Sequence, residues 1–147
     1  MILYILIGVI ILDCFFSLYR IYRRINLYNQ AYEKSKSSNK ELLVIGNPYS
    51  GFINKNIYQC YDCGDICLDL NGCGDCPKQI KGDLLEELKK MESKKYVIFE
   101  SCVLEYINDN SLSEIKIELD RVSGGDLYQV RNSPYIFPLH YKFIENG

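Results

Sequence analysis

The first 19 residues, MILYILIGVIILDCFFSLY, carry one charged side chain, Asp13, and are otherwise apolar or weakly polar. A bilayer core takes about 20 such residues in a helix rising 1.5 Å per residue. A helix of a soluble domain would show a polar face, and this stretch has almost none. A cleaved signal peptide would begin with basic residues and end at a small-residue cleavage site. Here the chain opens Met1-Ile2-Leu3, and the basic residues follow the apolar run. Residues 1–19 therefore read as a transmembrane helix, with the lipid bilayer as their partner. Asp13 is the discordant residue, because a carboxylate at depth costs several kcal/mol unless neutralised or paired. It must sit near the end of the span, protonate, or contact another chain. Arg20, Arg23 and Arg24 come next. By the positive-inside rule they place the rest of the chain on the cytosolic side.

Charge divides the chain in the same way. Residues 1–40 carry six of the 17 basic side chains and two acids, for a net +4, which leaves −6 on residues 41–147. An acidic globular part does not suit a phosphate backbone, which needs clustered Lys and Arg, so no direct nucleic-acid binding is expected. Residues 20–40 read as a juxtamembrane basic helix (IYRRINLYNQAYEKSK) ending in a flexible joint, Ser35 to Asn39. Residues 41–147 are enough for one small core.

Within that domain, Leu42 to Ile45 is an apolar run ending at Gly46, as in a central strand covered on both faces. Asp65 to Leu70 is a second candidate strand. Asp83 to Met91 looks helical, with Asp83 placed to cap it. Lys95 to Glu100 is the next strand. Leu104 to Ile107 and Leu112 to Val122 carry helical patterns, the second stopped by Gly124-Gly125, and Asp126 to Val130 returns as a strand. Strands alternating with helices predict an α/β fold with a mostly parallel sheet, whose ligand crevice lies at the carboxyl ends of the strands. Gly46, Asp69 and Glu100 all fall there.

The ordered set ELLVIGNPYSG, DICLDL, KGDLLEEL, VIFESCVLEYI and EIKIELDRVSGGDLYQV resembles a class I S-adenosylmethionine-dependent methyltransferase, closest in flavour to the type 11 enzymes. It also resembles small membrane-tethered methyltransferase-like proteins of giant DNA viruses. The resemblance implies a truncated Rossmann-like fold over residues 41–147, with S-adenosylmethionine as cofactor. It further implies that Gly46, Asn47 and Gly51 form the turn approached by the cofactor. Asp69 would accept the ribose hydroxyls, Asp83 would contact the adenine amine, and Glu100 and Ser101 would flank the transferred methyl group. The domain would then face the cytosol or the equivalent side of a virion inner membrane.

Departures from the family accompany the match. The turn reads GNPYSG where the family has three closely spaced glycines, and the stretch from Phe52 to Tyr61, where the first crossover helix belongs, is short. After the fifth strand only Tyr135 to Phe143 offers one more element. Two functions are thus expected: a methyltransferase acting on a membrane-proximal substrate, active or catalytically degenerate, or a non-enzymatic membrane-tethered scaffold or virion module with a protein partner.

Five cysteines cluster at positions 60, 63, 67, 73 and 76. The two Cys-x-x-Cys pairs, Cys60/Cys63 and Cys73/Cys76, suggest a structural zinc site. An extended strand between them would separate the pairs by roughly 20 Å, so a shared metal requires the segment to fold back. Disulfides are disfavoured in a reducing cytosol and admissible if the orientation is reversed. Cys67 and Cys102 read as buried small hydrophobes. His140 reads as a surface residue.

Overall fold

The structure, a computed structural model, describes residues 2–131. Tyr135 to Phe143 and His140 lie outside the described residues.

Helix α1 runs unbroken from Ile2 to Ser38, about 55 Å at 1.5 Å per residue. Its first half leaves apolar side chains uncovered, with Leu3, Ile10, Phe15 and Leu18 each more than 60% exposed. By length and composition α1 is able to cross a membrane. Its second half behaves differently. Ile21, Ile25, Tyr28 and the fully buried Ala31 and Ser35 recur at helical spacing along one side, which rests on the sheet. The segment from Ser35 to Asn39 is therefore not a loose joint. The helix continues to Ser38, and Asn39 reverses the chain with φ 54°. Lys40 then fixes the exit, its Nζ donating to Asp126 Oδ2 at 2.7 Å and to the Ser123 carbonyl at 3.0 Å.

The elements that follow are β1 (Glu41–Ile45), α2 (Phe52–Asn56), β2 (Ile66–Asp69), β3 (Gln79–Lys81), α3 (Leu84–Lys90), β4 (Tyr96–Ser101), a 3-10 turn (Leu104–Tyr106), α4 (Asp109–Ser123) and β5 (Leu127–Val130). The five strands form one sheet in the order β3-β2-β1-β4-β5, and every pairing is parallel. An all-parallel sheet must be covered on both faces, since its strands are apolar on both. Leu42, Val44, Val97 and Phe99 point toward α1 and α2. Leu43, Ile45, Ile66, Leu68, Tyr96 and Ile98 point toward α3 and α4. Two of the helix ends are set by capping groups. Asp83 accepts from the Leu85 and Glu86 amides at the start of α3, and Gly124, at φ 65°, takes the left-handed turn that closes α4.

Strand β3 is three residues at the sheet edge with an exposed-intermediate-exposed pattern, too short and too polar to announce itself in the sequence. Helix α2 is five residues, so the first crossover is as brief as the sequence between Phe52 and Tyr61 suggests. On that face α1 supplies the cover that a longer crossover helix would otherwise give.

Candidate functional site

Strand order reverses direction at β1, with β2 on one side and β4 on the other. The connections leaving β1 and β4 therefore part to opposite faces and open a crevice beyond the strand ends. A cavity of about 730 Å³ occupies that place, within the range of roughly 300–1,000 Å³ usual for small-molecule sites.

Gly46 forms the floor. Its φ is 105°, and a Cβ there would meet Val103 Cγ2 at 3.0 Å and the Ser101 carbonyl at 3.3 Å. A side chain is excluded both by conformation and by space. Asn47 follows, with its amide donating to Asp69 Oδ2 at 3.2 Å, and its side-chain Oδ1 accepts from the Tyr49 amide at 2.9 Å. Gly51 precedes α2 with nothing within 4 Å of the site a Cβ would take, so the wall there is open to an approaching group. Asp69 stands at the tip of β2, its Oδ1 accepting from the Asn71 amide at 2.9 Å. Gly46, Asn47, Gly51, Asp69 and Asp83 all line the same cavity. The structure thus gathers the five residues expected around a cofactor.

The two proposed substrate-facing residues part company. Ser101 lines the cavity, but Glu100 does not. Neighbours on a strand face opposite ways, and the buried Glu100 carboxylate turns to accept the amides of Val103 and of Leu104, the latter at 3.1 Å. Burial pushes its pKa up to about 7, against the opposing pull of those two amides. Glu100 therefore holds the turn that presents Ser101, Cys102 and Val103 to the cavity.

Three lining residues carry no signal of this role in the sequence. Arg20 and Arg24 reach the cavity from α1, where the sequence reads them only as a topology signal. Tyr61 donates to the Asn47 carbonyl at 3.2 Å and packs against Tyr28 and Phe99, with ring centroids 6.3 and 5.1 Å away. Burial raises its pKa to about 12. Arg24 donates from Nη2 to Cys102 Sγ at 3.3 Å, while its enclosed Nε has no partner among the described residues.

The cysteines are arranged otherwise than as a zinc set. Cys63 is bonded to Cys76 and Cys67 to Cys73, while Cys60 is free and buried. A sulfur in a disulfide has no thiolate to offer a metal, and among the described residues no group of three or more His, Cys, Asp or Glu is placed to hold one. The segment after β2 does fold back. The Cys73 amide donates to Gln79 Oε1 at 2.8 Å, and Gln79 Nε2 donates to the Gly74 carbonyl at 3.1 Å. This brings the Cα atoms of Cys63 and Cys76 to 5.5 Å. Such pairings belong to oxidising compartments, whereas the arginines after the apolar run favour the cytosolic side.

No family model, no curated protein and no solved structure matches the chain. Fold and site define it instead: an open, all-parallel α/β sheet with a ligand-sized cavity at its switch point, built onto a long apolar helix. The cavity also passes a chemical test for an adenosyl cofactor. Asp69 uses one lone pair on each oxygen for a backbone amide and keeps others free, and Asp83 commits only Oδ1 to α3. Both acids can still accept from hydroxyls or an amine.

Proposed function

We propose that the chain is a membrane-anchored S-adenosylmethionine-dependent methyltransferase, with α1 in the bilayer and the cavity as its active site. The observation that carries this reading is the convergence of Gly46, Asn47, Gly51, Asp69 and Asp83 on one cavity at the switch point of a parallel sheet. S-adenosylmethionine, when bound, supplies a methyl group on a sulfonium that a nucleophile can displace in line. The chain's own task is then to position, and positioning suffices for such a reaction without a dedicated base. Asp69 accepts the ribose hydroxyls and the free oxygen of Asp83 accepts the adenine amine. Gly46 and Gly51 leave room for the rest of the cofactor. Ser101 faces the acceptor, and Val103 and Ile107 give that part of the wall an apolar surface that excludes water.

A non-catalytic, membrane-tethered binding module is the second reading. It is favoured by the commitment of Glu100 to the Val103 and Leu104 amides, which leaves Ser101 as the one lining residue of the proposed catalytic pair.

The test is isothermal titration of S-adenosylmethionine into the full chain in nonionic micelles. Full length is required because α1 forms part of the cavity wall. Saturable micromolar binding that Asp69→Ala abolishes supports the cofactor site. A folded protein that takes up no heat from the cofactor refutes it and favours the second reading.

A further inference from the structure

The cavity has an uneven charge distribution. Its acids, Asp69 and Asp83, sit beyond β2 and β3, while its cations, Arg20 and Arg24, come from α1. The cofactor reading uses the acidic side and leaves the cationic wall without a ligand.

That wall is poorly satisfied as it stands. None of the ion pairs among the described residues includes Arg20 or Arg24. Arg24 donates to the Cys102 sulfur, a weak acceptor, and its enclosed Nε has no partner among the described residues. Burial opposes its charge most, and the groups that outweigh burial and hold its pKa up, Cys102, Tyr61 and Cys60, include no carboxylate. A largely buried guanidinium is stable when an oxyanion meets its planar fork of donors.

The place of this wall along α1 decides where the oxyanion comes from. Arg20 directly follows the apolar run, and Arg24 lies about 7.5 Å beyond Tyr19 along the helix axis. Headgroups occupy roughly the first 5–7.5 Å outside the hydrocarbon core. The cationic side of the cavity therefore stands at headgroup height. Its apolar lining (Ile53, Val103, Ile107) lies within the same enclosure.

We infer that Arg20 and Arg24 form a subsite for the phosphate or carboxylate of an acidic membrane amphiphile, which enters from the bilayer surface as the methyl acceptor. An oxygen lone pair of that anion would form the new C–O bond as the methyl C–S bond of the sulfonium breaks; the neutral thioether would leave, and no proton need move. The acceptor assignment rests on the methyltransferase reading; the subsite itself does not.

The experiment is titration of short-chain phosphatidic acid, short-chain phosphatidylcholine and inorganic phosphate into the full chain in nonionic micelles. Wild type, Arg24→Gln and Arg20→Gln are compared, with folding checked by circular dichroism. Saturable binding of phosphatidic acid alone, weakened at least about tenfold by Arg24→Gln, supports the subsite. Arg20 is only partly buried, so its variant serves as the reference should Arg24→Gln fail to fold, and a several-fold weakening is expected there. Equal binding of inorganic phosphate overturns the membrane source. Binding unchanged in both variants, or absent in folded wild type, overturns the subsite. S-adenosylmethionine is titrated in parallel. Loss of its binding in a folded Arg24→Gln assigns the guanidinium to the cofactor's own carboxylate and overturns the proposal. Wild type that binds phosphatidic acid but not the cofactor leaves the subsite standing and removes the methyl-transfer reading.

Discussion

The amide of Asn47 donates to Asp69 Oδ2 at 3.2 Å, tying the turn after β1 to the tip of β2. One carboxylate thus sets both the shape of the glycine turn and the acidic rim of the cavity. Asp69→Ala removes the acceptor of two backbone amides, and a stability loss of about 1–2 kcal/mol is expected, together with loss of cofactor binding. Asp69→Asn keeps one acceptor oxygen and should fall between. Thermal melts and calorimetry on the same samples separate the structural from the binding effect.

Glu100 makes stability depend on pH in a specific direction. Its folded pKa, about 7, lies above the unfolded value, so the folded state binds more protons between the two. Stability from this group is fully present below the unfolded pKa, near 4.3, and is lost as pH rises through 7. The span corresponds to about 4 kcal/mol, good to order of magnitude. Glu100→Gln should flatten the curve and leave the variant relatively more stable at pH 8 than at pH 5. Denaturant melts at the two pH values read this directly, and a slope that survives in the variant would sink the assignment.

Much of the sheet is legible in the amino-acid sequence itself. The apolar runs at β1 and β4 announce themselves by burial on both faces, and the Gly124-Gly125 stop of α4 is a local backbone requirement. Gly46, Asp69 and Asp83 are legible as neighbours because they follow β1, end β2 and cap α3, whereas Asn47 and Gly51 enter only through the family resemblance. What escaped depends on long-range packing. Strand β3 has no apolar pattern of its own and exists through its pairing with β2. Ser35, fully buried against the sheet, belongs to a serine-rich stretch that alone suggests a linker. Arg20 and Arg24 are one turn apart on a helix whose docking angle no local signal gives.

The disulfides give a chemical count. Of seven cysteines, Cys14, Cys60 and Cys102 are free. Alkylation of denatured, unreduced protein should therefore modify three, and all seven after reduction, read by intact mass. Loop closure over sequence separations of 13 and 6 stabilises by roughly 3 and 2 kcal/mol in the chain-entropy model. Reduction should lower the melting temperature accordingly.

Removing residues 1–40 should do more than release the domain from a membrane. It uncovers Leu42, Val44, Val97 and Phe99, each worth about 2 kcal/mol of burial. That total is comparable to the ~5–15 kcal/mol stability of a whole domain. Aggregation or a molten far-UV and near-UV signature is expected on gel filtration and circular dichroism. Removing only residues 1–18 should leave a folded, monodisperse domain.

Helix α1 passes from its apolar half to its sheet-packed half without a proline or a break and has no hinge along that length. In a bilayer the α/β domain would accordingly ride as the head of a stiff mast. Tilting by about 20°, a common response to hydrophobic mismatch, would swing the cavity mouth through the same angle relative to the lipid surface. Bilayer thickness then becomes a steering variable: it decides how squarely the opening between α1 and the strand tips meets whatever lies in the headgroup layer.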